Sequence, residues 1–145
     1  MGLLQNFSKP RGFFGRVISL LMNYGEHAKL GRWGMSFVEL PIQADILDLG
    51  CGGGGNLERW LERYPDAHVS GIDHSPVSVS IAEGWNEKAI SQDRCEVILS
   101  GVNKLPFRND SFDAISSFES IYFWKSMDKA LAEAYRVLKP GGVLL

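Results

Sequence analysis

Five of the six residues from Gly50 to Gly55 are glycine, and an aspartate, Asp48, stands two positions ahead of them. Glycines in such a run permit a tight turn and let a ligand touch bare main chain. A helix starting just beyond them offers free N–H groups and the positive end of its dipole. Gly50-x-Gly52-x-x-Gly55 formally matches the spacing of loops that cradle a dinucleotide diphosphate. Asp48 argues against that guest, because a diphosphate would meet a like charge in a poorly solvated crevice.

A zwitterion with surplus positive charge suits the pattern better. S-adenosylmethionine carries an ammonium, a sulfonium and a carboxylate but no phosphate. Asp48 would attract its cationic end directly or through water, and the glycine amides would receive its carboxylate. A second acid, Asp73, follows 23 residues after Gly50, where a side chain at a strand end accepts ribose hydroxyls. NAD has the same ribose, so Asp73 supports a nucleoside without choosing between the two. Its alternative is a helix-capping turn in the run Asp73-His74-Ser75-Pro76.

The elements that must hold these residues alternate in type. Residues 45–50 form a short apolar run of strand character, followed by a helix over 56–64 with Asn56 as its cap and Pro65 as its stop. A second strand over 68–73 leads to a helix opened by Ser75 and Pro76, with Val77, Ile81, Trp85 and Ala89 as its inward stripe. Strands over 95–100 and 112–118 come next. A helix over 126–138 should then face Met127, Ala130, Leu131, Ala134 and Leu138 inward, stopped by Lys139-Pro140-Gly141-Gly142, after which a fifth strand begins. Such alternation predicts an α/β fold with a parallel sheet covered by helices on both faces. Right-handed crossovers bring the carboxyl ends of the strands to one edge, where such sheets bind ligands. Residues 48–55, 73–75, 100–103 and 118–124 would meet there.

With 145 residues, a net charge of −2 and a pI near 5.9, the chain has the size of one domain and no basic footprint for nucleic acid. No apolar run approaches the roughly 18 residues that span a bilayer. Cys51 and Cys95 form no CxxC pair, which fits a reducing cytoplasm. The first residues carry Lys9, Arg11 and Arg16 with no acid before Glu26. Their apolar stretch is short and interrupted, so they read as a helix over 12–23 packing Phe13, Phe14, Val17, Ile18 and Leu21 rather than as a signal peptide or stable membrane anchor. A further helix is expected over 27–39. Residues 1–43 are thus an N-terminal helical segment or lid, and 44–145 the nucleoside-binding domain.

Taken in order, "ILDLGCGGGG", "GIDHSP", "LPFRNDSFDAI" and "RVLKPGGVLL" resemble a class I S-adenosylmethionine-dependent methyltransferase, and within it the small methyltransferase-type-11 domains, over roughly residues 44–145. The resemblance implies a Rossmann-like sheet and a methyl transfer from S-adenosyl-L-methionine to a small-molecule acceptor. By position, Asp48, Gly50, Cys51 and Gly52 would hold the methionine portion of the cofactor. Asp73 would hold the ribose, His74 would flank the adenine, and Val102 and Asn103 would border it. Phe118, Glu119 and Ser120 would lie under the sulfonium.

Two departures stand out. Gly101 occupies a position where many members of the family place an aspartate toward the adenine amino group, which removes one contact of about 0.5–1.5 kcal/mol. The family's sheet also continues past the fifth strand, whereas this chain ends at Leu145, so its C-terminal edge is expected to be incomplete and to invite self-association.

Catalysis would need alignment and, for an oxygen or nitrogen acceptor, a base. Glu119 and Tyr122 are the candidates, with His27 entering from the lid. Cys51 lacks a paired base and reads as a small residue in a tight loop. No metal-ligand spacing is present. A binding module without turnover and a nicotinamide-dependent oxidoreductase are the alternative readings.

Overall fold

The computed structural model describes Val17 and residues 23–145. The helix expected over 12–23 and its apolar face thus lie almost wholly outside the described residues. The chain runs α1 (Gly25–Met35), β1 (Asp45–Leu49), α2 (Gly55–Arg63), β2 (His68–Asp73), α3 (Pro76–Trp85), α4 (Glu87–Ser91), β3 (Cys95–Leu99), β4 (Phe112–Ser116), a 3-10 turn (Ile121–Phe123), α5 (Met127–Val137) and β5 (Leu138–Leu144). The five strands form one sheet in the order β3-β2-β1-β4-β5. Every pairing is parallel, with Asp48 opposite Gly71 and Ser116 on its two sides.

Alternation along β1 divides the core into two layers. Ile46 joins Trp60, Leu57, Val69, Ala82 and Ala114 on the face covered by α2 and α3. Leu47 and Leu49 join Ile72, Ile115, Ala134 and Val137 on the face covered by α5. Trp60 is fully buried, and its indole N–H donates to Ser116 Oγ across the first layer. Truncating such a side chain to alanine costs about 3–5 kcal/mol.

Several boundaries differ from the sequence expectation. α2 starts at Gly55, capped by Gly54 in the left-handed region (φ 84°), while Asn56 lies inside the helix and its side chain accepts from Arg59. A Cβ at Gly54 would meet Ala82 and Asn86 at under 3 Å, so close packing on α3 rather than side-chain capping decides that position. The helix expected through Ala89 breaks at Asn86, whose Nδ2 donates to the carbonyls of Gly54 and Ala82. Ser75 and Pro76 do open α3, with Ser75 Oγ accepting from the Ser78 N–H. On α5 the buried stripe is Ala130, Ala134 and Val137, whereas Met127 and Leu131 are exposed. Small alanines let the helix approach the sheet on that side. The Lys139–Gly142 segment belongs to β5 instead of ending a helix. A register shift opposite Phe112 and Ala114, with Gly141 at φ 79°, absorbs it.

Candidate functional site

A cleft of about 290 Å³ opens at the carboxyl ends of the strands. All four expected segments contribute to it: Gly50 and Gly52 after β1, Asp73 and His74 after β2, Ser100 to Asn103 after β3, and Phe118 to Ser120 with Phe123 and Trp124 after β4. The alternation of elements alone predicted that convergence.

The glycine loop is tied down by its own N–H groups. Gly50 and Cys51 both donate to the Ile72 carbonyl at 2.9 Å, Gly52 donates to Asp73 Oδ2 at 3.1 Å, and Gly54 donates to the Cys51 carbonyl. Gly55, the first residue of α2, donates to Asn23 Oδ1 at 3.1 Å. The expectation that these amides await a ligand carboxylate is therefore corrected: five of them are committed within the protein. Gly50 needs its conformation (φ 74°), and a Cβ there would stand 2.5 Å from that of Ser120. Gly52 (φ 53°) lines the cleft, and nothing stands within 4 Å of where its Cβ would be.

Asp73 is 8% exposed and lines the cleft. Its Oδ1 accepts from the Ser75 N–H at 2.8 Å while Oδ2 holds Gly52, so one carboxylate fixes both the turn into α3 and the glycine loop. A carboxylate has about four acceptor sites, which leaves room for hydroxyl donors. His74 is exposed beside it, with Nδ1 3.6 Å from Asp73 Oδ1.

Asp48 does not line the cleft. It is 1% exposed, and Ser116 Oγ donates to its Oδ1 at 2.6 Å while itself accepting from Trp60. Burial pushes its carboxyl up to about 7; the Ser116 hydrogen bond opposes this, the Asp73 charge adds to it and Arg59 opposes it. Asp48 is thus placed beneath the loop, not on the cleft wall where it was expected to meet a ligand directly. Cys51 is also buried outside the cleft, and burial with the nearby carboxylates raises its thiol well above the ordinary value. It has the inert character of a packing residue.

Glu119 lines the cleft in the left-handed region (φ 56°), where a non-glycine residue costs of order 1 kcal/mol or more and persists only if its surroundings enforce it. The enforcement comes from Ser120, whose Oγ donates to the Leu49 carbonyl and bonds Ser117 Oγ, each at 2.7 Å. The Glu119 carboxylate pairs with His27 Nδ1, which arrives from α1. Tyr122 is 80% exposed and does not line the cleft; Phe123 and Trp124 stand there instead. The 3-10 turn aims its tyrosine outward. The Trp124 indole nitrogen is buried with no hydrogen-bond partner among the described residues.

Sequence reasoning missed two supports of the site. Glu133 and Arg136 on α5 clamp the segment before β4. Glu133 Oε2 accepts from the Leu105 N–H at 2.7 Å, and Arg136 donates to the carbonyls of Leu105 and Phe107. The (i, i+3) Glu-Arg spacing was the available signal. Asn23 is the other, and no local pattern marks it. Among the described residues no group of three or more His, Cys, Asp and Glu is arranged to hold a metal, and no helix is long and apolar enough to cross a membrane.

Comparison with known proteins matches this architecture. Residues 47–145 match the family model described as a methyltransferase domain. The erythromycin 3''-O-methyltransferase of Saccharopolyspora erythraea is 36% identical over 100 residues, covering 69% of this chain and 33% of that protein. The 24-methylenesterol C-methyltransferase 2 of Arabidopsis thaliana is 38% identical over 109 residues, covering 75% of this chain and 30% of that protein. The chain thus spans about a third of the length of these relatives. Among solved structures, the [4+2]-cyclase SpnF superposes with a TM-score of 0.75 at 29% identity, over 81% of this chain and 43% of that one. With the family model covering more than two thirds of its residues, and with the sheet order and strand-end cleft described above, the chain belongs to the methyltransferase domain family.

Proposed function

We propose that this chain binds S-adenosyl-L-methionine and serves the transfer of its methyl group to a small-molecule acceptor. The observation that carries the reading is how the glycine loop spends its N–H groups. A dinucleotide diphosphate needs free amides at the start of the helix after the loop. Here the amides of residues 50–52, 54 and 55 are committed to Ile72, Asp73, Cys51 and Asn23. Asp73 stands in the cleft and Asp48 beneath it, so the electrostatics favour a cation over a diphosphate. That arrangement disfavours the nicotinamide alternative.

Asp73 would receive the ribose hydroxyls, with His74, Val102 and Asn103 around the base. Gly50, Gly52 and Phe118 would border the methionine end. Asp48 would stabilise the positive charge from behind the loop, and Cys51 would pack there. Bound in this way, S-adenosyl-L-methionine supplies a methyl group already activated for direct displacement. Glu119, which pairs with His27 and lines the cleft, would take the proton of a hydroxyl or amine acceptor. The catalytic assignment rests on Glu119 rather than on Tyr122, given the exposure of the latter. The free, buried state of Cys51 and Cys95 supports a reducing, cytoplasmic setting. The exposed Val143 and Leu144 of β5 support self-association along that edge, which light scattering would detect as a concentration-dependent mass.

A binding role without methyl transfer is the second reading, favoured by one finding: the [4+2]-cyclase SpnF shares this fold. Calorimetry with S-adenosylhomocysteine and with NADH tests the ligand, and turnover against amines, phenols and thiols tests the transfer. Binding of NADH without binding of S-adenosylhomocysteine would overturn the proposal.

A further inference from the structure

Asn23 lies just ahead of α1 and is 5% exposed. Both ends of its carboxamide are engaged: Nδ2 donates to the Gly53 carbonyl at 2.9 Å, and Oδ1 accepts from the Gly55 N–H at 3.1 Å. Its backbone carbonyl accepts from the buried Arg59 guanidinium. Gly55 opens α2, so its N–H has no partner within the helix, and the capping residue Gly54 has no side chain to offer. A residue more than 30 positions away supplies what a local cap normally does. The fit is close, since a Cβ on Gly55 would stand 2.9 Å from Asn23 Oδ1.

α1 then touches the opposite wall of the cleft twice. His27 pairs with Glu119, and Gly34 packs so tightly on the Phe118 ring that a Cβ would lie 2.5 Å from it. Within twelve residues the segment grips the loop after β1 and the turn after β4. These are the two walls between which the methionine end of the nucleoside is placed above.

We propose that Asn23 is a positioning residue for the nucleoside site: it sets the glycine loop from outside the sheet, so that docking of residues 23–35 and binding of an S-adenosyl nucleoside stabilise each other. The inference rests on the ligand reading above and adds the N-terminal segment to it. Coupling of this kind is reciprocal. The ligand must tighten the segment as much as the segment tightens the ligand. The carboxamide is also specific, because aspartate has no donor for the Gly53 carbonyl and would face it with a negative charge.

The test is calorimetry of the 145-residue chain with S-adenosylhomocysteine. Asn23→Ala, which loses both buried hydrogen bonds at the loop, and Asn23→Asp, which keeps the acceptor for Gly55 but sets a negative charge against the Gly53 carbonyl, are each expected to weaken binding about tenfold or more. Tyr64→Phe is the control. It removes the bonds that the Tyr64 hydroxyl makes with the Val38 carbonyl and the Leu40 N–H, on the same N-terminal segment but away from the loop. It should lower the melting temperature and leave the affinity within about twofold. Hydrogen exchange of the wild type should slow across residues 23–35 when S-adenosylhomocysteine is added. Wild-type affinity in Asn23→Ala, or unchanged exchange in 23–35, would overturn the proposal, and the exchange measurement decides it if the variants do not fold. Should the wild type bind no S-adenosyl nucleoside, the ligand assignment falls instead. Exchange at the Gly55 amide then still reads the role of Asn23: faster in folded Asn23→Ala supports it, equal to wild type refutes it.

Discussion

Replacing Asp48 with asparagine should stabilise the protein at alkaline pH and leave it nearly unchanged in acid. The side chain is 1% exposed, and burial raises its carboxyl from 3.8 to about 7. Each tenfold change in proton affinity corresponds to about 1.4 kcal/mol, so the full difference amounts to about 4 kcal/mol. The sign follows from which state holds the proton. Well below pH 3.8 both folded and unfolded chains keep Asp48 protonated, and it contributes nothing to the pH dependence. Between pH 4 and 7 the unfolded chain ionises while the folded chain resists, so stability falls as pH rises. Above pH 7 both are ionised and the penalty is constant. Asparagine keeps an oxygen for the Ser116 hydroxyl and never ionises, so Asp48→Asn escapes the penalty. Urea denaturation at pH 4 and pH 8 measures it: the variant should gain up to about 4 kcal/mol on the wild type between the two. Parallel pH profiles would refute a buried, proton-holding Asp48. The same variant should lose more affinity for cationic S-adenosylmethionine than for neutral S-adenosylhomocysteine, since the ionised carboxylate acts only on charge.

Three further outcomes follow from the site. Gly50→Ala meets both a positive φ and the Ser120 side chain at 2.5 Å, so it should lower stability in chemical denaturation by about 1–3 kcal/mol; an unchanged midpoint would contradict the packing described. Arg136 and Leu105 hold the Glu133 carboxyl at about 2, so its stabilisation is present above the ordinary value of 4.5 and is lost as pH falls toward 2. Glu133→Gln should therefore be less stable than wild type at neutral pH, with the gap closing in acid, and a gap of constant size would refute that clamp. Glu119→Gln should reduce kcat by about 100-fold or more on any hydroxyl or amine acceptor that turns over, with the affinity for S-adenosylhomocysteine retained. An equal loss of that affinity would instead assign Glu119 to the nucleoside.

The amino-acid sequence by itself determined the succession of elements, the parallel sheet, the strand ends where the cleft lies, and the placing of Asp73 and His74 in it. Those features arise from rules acting over a few residues: alternation along a strand, the Ser75-Pro76 opening of α3, and glycine where the chain must turn. The tertiary structure alone decided the rest. Asn56 was the obvious cap of α2, yet the cap falls two residues earlier at Gly54, which packs against Ala82 and Asn86, and Asn23, distant in the chain, receives the first helical N–H. Asp48 is legible as an acid beside the loop, but only the closing of β4 and α2 around it, through Ser116 and Trp60, buries it and pushes its carboxyl up to about 7. Tyr122 and Trp124 are alike in the sequence as aromatics after β4, and the twist of a single 3-10 turn sends one to solvent and the other to the cleft wall. Burial and the partners of a polar group depend on which distant segments return to it, and that information lies in the packing of the whole chain, not in any local stretch of it.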